Sequence, residues 1–319
     1  MTDQKLSLKV VERIDDRGDI IRLVLQDAEG KPLPSFEAGA HLAIEVRDGE
    51  TVFHRQYSLC GSPSETGCYR LGILKDAASR GGSAAIHRQA RPGAVFVADA
   101  PANLFPLAEG ARRSILFGGG IGITPMIAMA HALEARGGEY EIHYCTRSKS
   151  VTAFADVIET AAFAGRVHFH HDDDGTALSP EEFPAYEAGT HLYVCGPEGF
   201  MDWIIGLAAK AGFPADSIHR EYFTVDVDVS GESFEVEARA SGVTVTVGPD
   251  DTIAKALKSA GVDVEVKCEE GICGTCITEI LEGEADHRDK FLTDEEKAEN
   301  FEMALCCSRA KGKKLVLDI

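Results

Sequence analysis

The 319-residue sequence predicts a multidomain chain: an antiparallel β-barrel, then an α/β domain with a parallel sheet, then a compact domain around a cysteine loop. Three observations carry this. Short β-rich runs alternate with turn signals over the first hundred residues. Strand and helix patterns alternate through the middle third. Five of the nine cysteines crowd between positions 268 and 307. The changes of rhythm place domains at 1–110, 111–224 and 233–319, with the polar stretch 225–232 as a linker.

The barrel is expected from six runs, 6–14, 20–26, 41–46, 52–58, 69–74 and 95–98, with Glu29-Gly30 and Asp48-Gly49 among the turns. In the middle third, 114–117, 141–145, 167–170 and 191–195 read as buried strands, and 125–136, 153–164 and 199–211 as the helices between them. Beyond the linker, 234–240 and 243–247 read as a hairpin around Ser241-Gly242. A helix over 252–260 should follow, with Asp251 as its N-cap and Gly261 as its stop.

Composition narrows the partners. A formal charge of −20 argues against nucleic acid and anionic membranes. The opening Met1-Thr2-Asp3-Gln4-Lys5-Leu6 lacks a basic-then-apolar signal pattern. The stretch 114–133 has no Asp, Glu, Lys or Arg, but it contains four glycines and Pro125, and so reads as a buried strand–loop–helix. Clustered cysteines in an odd total do not suit a secreted disulfide scaffold. The expectation is a cytoplasmic protein whose grouped thiols bind metal.

The most specific signal is Cys268-x4-Cys273-x2-Cys276, followed after 29 intervening residues by Cys306. This is the plant-type 2Fe–2S spacing. Four thiolates must converge on two irons, and Gly271 and Gly274 let one short loop wrap closely. Zinc sites usually pair two Cys-x2-Cys steps, and here there is one. Cys306 and Cys307 compete as fourth ligand. The second signal, Gly118-Gly119-Gly120-Ile121-Gly122-Ile123-Thr124-Pro125, lies between a predicted strand and a predicted helix, where backbone N–H groups can face a pyrophosphate. Thr124 suits the N-cap and Pro125 the first turn. Cys195-Gly196-Pro197 ends another strand and belongs to the same edge. The third is Arg55-Gln56-Tyr57-Ser58-Leu59 with Ser79-Arg80-Gly81-Gly82-Ser83: an Arg fork and a Gly-Gly-Ser step for phosphate, and a Tyr face for an aromatic ring. Taken alone, this third pattern is ordinary β-sequence.

Read in order, these motifs resemble the phthalate dioxygenase reductase family, which includes vanillate O-demethylase reductases and carnitine monooxygenase reductases, over essentially the whole chain. The segments 281–289 and 306–310 resemble it as well. The resemblance implies an FMN-binding barrel, an NADH domain and a β-grasp ferredoxin domain. It carries over Arg55, Tyr57 and Ser58 as flavin contacts, Leu74 and Lys75 along the flavin edge, and Gly82 and Ser83 near its phosphate. Thr124 would stand at the flavin–nicotinamide junction and Phe223 beside the ring. Gly119, Gly120, Gly122, Thr124, Pro125, Thr146, Arg147, Ser148, Cys195, Gly196 and Pro197 would line the NAD site. Cys306 is favoured as the fourth ligand.

Such a chain would serve as the reductase component of a multicomponent, Rieske-type oxygenase. NADH releases two electrons together, a 2Fe–2S cluster accepts one at a time, and a flavin links the two. A stand-alone diaphorase would use the same residues, and an iron–sulfur redox sensor would not need the flavin and NAD apparatus. FMN against FAD has no independent test in the residues. Arg147 could accommodate a 2′-phosphate, while the resemblance favours NADH. His168, His170 and His171 read as strand composition rather than a metal site. Between positions 265 and 302, 13 acidic residues face 4 basic ones, a field that could steer a basic patch on an acceptor.

Overall fold

The computed structural model describes residues 5–77, 80–223, 225 and 227–319. Ser79 of the Gly-Gly-Ser approach, and Thr224 and Asp226 around the expected linker, lie outside the described residues. The chain divides into two compact units, Met1–Glu221 and Tyr222–Ile319.

The first unit holds two sheets. Strands β1 (Lys5–Asp15), β2 (Ile20–Asp27), β3 (Ala40–Asp48), β4 (Thr51–Ser58), β5 (Tyr69–Leu74), β6 (Val95–Asp99) and β7 (Ala102–Asn103) form an antiparallel sheet. Its order is β4-β3-β6-β1-β2-β5, with β7 against β3. The ends meet through a Leu59–Leu71 bridge and a 3.0 Å bond from Cys60 N–H to the Arg70 carbonyl, which curls the sheet into a barrel. Alternation selects the inner face: Leu6, Leu8 and Val10 are buried while Lys5 and Ser7 are exposed. The Gly-Gly-Ser step opens a helix, α1 (Gly82–Gln89), whose Ala85 and Ile86 enter the barrel core.

The second sheet is parallel throughout, from β8 (Arg113–Gly119), β9 (Glu139–Thr146), β10 (Val167–His171), β11 (Thr190–Cys195) and β12 (Ile218–Glu221), in the order β10-β9-β8-β11-β12. The charge-free stretch becomes β8, buried from Ser114 to Gly119 as a strand covered on both faces must be, and α2 (Ile123–Ala135). No helix among the described residues is long and apolar enough to cross a membrane. Thr124 is not the N-cap; Gly122 holds that place, and the Thr124 hydroxyl bonds back to the Ile121 carbonyl at 2.9 Å. Pro125 does lie in the first turn. The helix expected over 153–164 is shorter, α3 (Ala155–Thr160), because Phe154 takes a left-handed conformation just before it. Helix α4 (Glu198–Lys210) follows Pro197.

The second unit contains β13 (Phe234–Ala238), β14 (Val243–Val247), α5 (Ile253–Ser259), β15 (Ile277–Glu282), β16 (Ala285–Asp286), α6 (Asp294–Glu299), β17 (Glu302–Ala304), β18 (Arg309–Ala310) and β19 (Lys314–Leu317). The main sheet runs β14-β13-β19-β15-β17, with β13 and β19 parallel at its centre. Helix α5 adds Ile253, Ala256 and Leu257 to a core shared with Phe234, Val236 and Leu315, the β-grasp arrangement. The N-cap of α5 is Thr252, not Asp251. Its hydroxyl accepts the Lys255 N–H at 3.2 Å, while the Asp251 carboxylate is taken by the Thr252 N–H. The polar stretch before β13 is held to this unit from residue 228 onward. Arg309, only 2% exposed, donates to the carbonyls of Val229, Glu232, Gly248 and Asp251, and Arg288 donates to those of Asp228 and Ser230.

Candidate functional site

Strand β4 presents Arg55, Tyr57 and Ser58 in the order the sequence set. A Cβ on Gly82 would stand 2.6 Å from Arg55 Nε, so the guanidinium lies directly on the first residue of α1. A cation beside the N–H groups of a helix start is a cradle for phosphate. The Tyr57 hydroxyl is buried with no hydrogen-bond partner among the described residues, and burial pushes its pKa well up. An orphaned polar atom in such a place fits a ligand that bonds it. Ser83 is buried and accepts the Asp76 N–H at 3.2 Å. Leu74 ends β5 half-buried, and Lys75, exposed, donates its N–H to the Asp19 carbonyl at 2.9 Å.

At the carboxyl edge of the parallel sheet, the glycine loop packs on the Cys195-Gly196-Pro197 loop. A Cβ on Gly122 would fall 2.2 Å from the Cys195 carbonyl oxygen, and one on Gly119 would fall 2.7 Å from the Phe200 ring. Gly120 has φ +54. Two candidate nucleotide segments are thereby in backbone contact, where ligands of open α/β sheets sit. The third segment follows β9: Thr146 is buried and bonded to Thr152, and Arg147 is exposed. Lys149 pairs with Asp174 at 3.1 Å.

One residue at this edge was missed. Glu221 ends β12, a strand absent from the sequence reading, and lies in register with Cys195. Its carboxylate accepts a bond from the Ser58 hydroxyl at 3.1 Å. Burial raises its pKa to about 8, partly offset by Ser58. A β4 residue, the Cys195 strand end and a carboxyl able to keep its proton near neutral pH therefore converge. A glutamate closing the run 218–221 was the available signal. The histidines form cross-strand stacks: His168 and His170 lie on His143, with His143 Nδ1 and His170 Nε2 3.0 Å apart.

In the second unit Cys268, Cys276 and Cys306 are buried and Cys273 is half-exposed. Hydrogen bonds from Cys273 and Cys306 hold the Cys268 thiol pKa well down, and Cys306 also holds that of Cys276 down. The donors Cys273 and Cys306 are pushed up by the same contacts. Cys268 thus neighbours Cys273 and Cys306, Cys306 neighbours Cys276, and the Glu270 N–H reaches Cys268 Sγ at 3.4 Å. No three or more His, Cys, Asp or Glu side chains among the described residues are arranged to hold a metal ion together. A two-iron cluster makes a different demand, because four thiolates are shared between two irons. The segment 289–292 crosses the loop. Lys290 N–H donates to the Gly271 carbonyl at 3.0 Å, and a Cβ on Gly274 would meet the Phe291 ring at 2.3 Å. Cys307 is buried, and a Cβ on Gly271 would lie 2.6 Å from its sulfur. Phe223 is half-buried and belongs to this second unit.

Known proteins match both halves. The 2Fe-2S iron-sulfur cluster binding domain family matches residues 236–311, and the N-terminal domain of dimethylamine monooxygenase subunit DmmA-like proteins matches residues 102–218. A vanillate O-demethylase oxidoreductase of a Pseudomonas species is 48% identical over 94% of this chain and 96% of its own. The carnitine monooxygenase reductase subunit of Escherichia coli is 40% identical over 93% of each. The structure of phthalate dioxygenase reductase, described as modular for electron transfer from pyridine nucleotides to 2Fe–2S, aligns with TM-score 0.76 and 35% identity over 99% of this chain and 98% of its own. An intact type IV self-sufficient cytochrome P450 monooxygenase aligns with TM-score 0.86 and 38% identity over 99% of this chain and 41% of its own.

Proposed function

Given that this chain belongs to the phthalate dioxygenase reductase family, an oxidoreductase family with a C-terminal 2Fe–2S domain, we propose that it takes hydride from NADH onto FMN and sends single electrons through the cluster to a separate terminal oxygenase. The observation that carries the reading is the Ser58–Glu221 hydrogen bond beside Cys195, which ties the flavin strand to the nucleotide edge. A bound flavin would supply the step from two-electron to one-electron chemistry. Arg55 and the start of α1 hold its phosphate, and Tyr57 gives it a hydroxyl. Ser58 orients the Glu221 carboxyl, which keeps its proton at neutral pH and so puts no negative charge beside the reacting rings. The loops at Gly119, Gly120, Gly122, Thr124, Pro125 and at Gly196, Pro197 seat the pyrophosphate and nicotinamide, and Thr146, Arg147 and Ser148 flank the adenosine. Cys268, Cys273, Cys276 and Cys306 hold the cluster.

NADH is preferred to NADPH from the family resemblance, and Arg147, exposed after β9, is the cation that a 2′-phosphate would meet. The relatives support the oxygenase partner: one is named as the reductase subunit of a carnitine monooxygenase, and in the self-sufficient P450 monooxygenase the matching segment is 41% of a longer chain. The acidic run 265–302 would steer a basic patch on that partner, in the cytoplasm. The test is an anaerobic titration with NADH followed by absorbance and EPR, together with flavin and metal analysis. Flavin bleaching and a rhombic reduced-cluster signal are expected. Zinc in place of iron, or protein without flavin, overturns the reading. A higher kcat/KM with NADPH overturns the nucleotide choice.

A further inference from the structure

The region where the barrel meets the parallel sheet contains a buried aromatic in an uncommon backbone state. Phe154 has φ +59 and is 3% exposed. A bulky residue at positive φ is rare, and persists where its surroundings over-determine it. Three sets of contacts do so here. The Phe154 N–H donates to Asp16 Oδ2 at 3.0 Å, from the β1–β2 turn of the barrel. Arg22 of β2 lies 5.5 Å from the ring centre and pairs with Asp16 and Asp156, both at 2.9 Å. The ring itself fills the space over Gly72 of β5: a Cβ there would stand 2.6 Å from Phe154 Cζ and 2.8 Å from Thr124 Cγ2.

The position of these partners gives the contact meaning. Gly72 lies two residues before Leu74 on the same strand, and Thr124 is fixed in the first turn of α2, 1% exposed. The turn that grips Phe154 also bonds the Lys75 N–H through the Asp19 carbonyl, and Arg17 reaches the Lys149 carbonyl at 3.2 Å beyond the adenosine segment. The ring and Thr124 Cγ2 thus border the same spot over Gly72, on the strand assigned to the flavin edge and beside the residue assigned to the flavin–nicotinamide junction. A Cβ on Gly72 would leave it no room.

From this geometry we infer that Phe154 is a positioning residue for hydride transfer: its ring, locked by Asp16 and Arg22, sets the gap between the β5 strand and Thr124. The inference rests on the proposed flavin and nucleotide sites. The ring is 3% exposed and acts through spacing. Hydride transfer is sensitive to this, because reacting atoms must approach to about 3–3.5 Å and a 1 Å misplacement costs on the order of 100-fold.

The test uses the full chain with flavin bound, in the variants Phe154→Leu, Gly72→Ala and the pair together. Phe154→Leu opens the gap and Gly72→Ala presses on it from the opposite side. Single-turnover flavin reduction by NADH is expected to slow about tenfold or more in each. Flavin content, flavin midpoint potential and the NADH Kd should stay as in the parent protein, and the long-wavelength charge-transfer absorbance should weaken. In the double variant the smaller side chain relieves the clash with the Phe154 ring while the Thr124 Cγ2 contact at 2.8 Å remains, so the rate should recover in part above that of Gly72→Ala. Parental rates in both single variants overturn the inference. So does a loss fully accounted for by missing flavin or weaker NADH binding, a double variant without recovery, or loss of fold in both single variants, which would make the ring a structural plug. Failure of NADH to reduce the flavin of the parent protein would instead overturn the proposed function.

Discussion

In the second unit, three of the four candidate ligands come from nine consecutive residues, Cys268 to Cys276. In the first, Ser58, Cys195 and Glu221 come from three strands of two sheets and meet only because the sheets pack. The glycines of the two sites differ accordingly. Gly122 is pressed against the backbone of a loop more than seventy residues away, which cannot yield. Gly274 is pressed against the ring of Phe291, which is 38% exposed and can swing aside. A contiguous site is held by its own loop, whereas a dispersed site is held by the fold, so loss of a ligand should read out as lost metal in the first, while crowding of packed backbone should read out as a large loss of stability in the second.

The largest effect is expected at the ligands. Cys306→Ser should abolish or severely deplete the 2Fe–2S absorbance and EPR signal, while Cys307→Ser keeps iron content and signal near the parent's. A cluster retained in the first and lost in the second would move the fourth ligand to Cys307. Next is Gly122→Ala. Its added carbon meets backbone at 2.2 Å, so unfolding of the first unit should shift by about 3 kcal/mol or more, at the upper end of overpacking costs. Parental stability in a denaturant titration would break the comparison at its dispersed end.

How much of this was legible follows the same division. The thiol spacing was legible because a cluster demands ligands close in sequence, and the barrel strands because alternation writes the inner face into each run. Glu221 was not legible, since nothing local marks a half-buried carboxyl as desolvated; its surroundings come from β4 and β11. The α5 cap was misplaced by one residue because Asp251 and Thr252 are both capping types, and only the φ/ψ of the junction decides which side chain reaches the Lys255 N–H. The short α3 was misread because its start is set by Asp16, far away in the chain. The Gly119–Gly122 loop was read as a ligand loop, while the structure shows Gly119 and Gly122 required by packing on the neighbouring loop.

Glu221 gives a pH test of the dispersed site. Its carboxyl is raised from 4.5 to about 8 by burial, so between these values the folded protein keeps a proton that the unfolded chain has released. The folded state binds more protons there, and this residue's contribution to stability falls as pH rises, by at most about 1.4 kcal/mol per pH unit. Histidines held low by burial, such as His41 at about 4, act in the opposite sense below pH 6.5. The difference between the parent protein and Glu221→Gln isolates the carboxyl. The variant should gain relative stability steadily from pH 5 to 8, followed by denaturant titration at each pH. A constant difference would mean that the Ser58 bond is made to an ionised carboxylate.

The smallest expected effect lies in the contiguous site. Gly274 has φ +72, so Gly274→Ala incurs about 1–2 kcal/mol for a left-handed residue with a side chain, plus whatever is needed to displace Phe291. The cluster should survive, because the loop keeps all its sulfurs and the strand–helix scaffold is untouched. Adding Phe291→Ala should remove the steric share and leave the backbone share, so the two substitutions should combine with less loss than their sum. Strict additivity in a thermal-melt double-mutant cycle would mean the ring already swings clear. Loss of the cluster absorbance in Gly274→Ala alone would mean that the loop depends on the segment crossing it, and the contrast between a self-held and a fold-held site would fail.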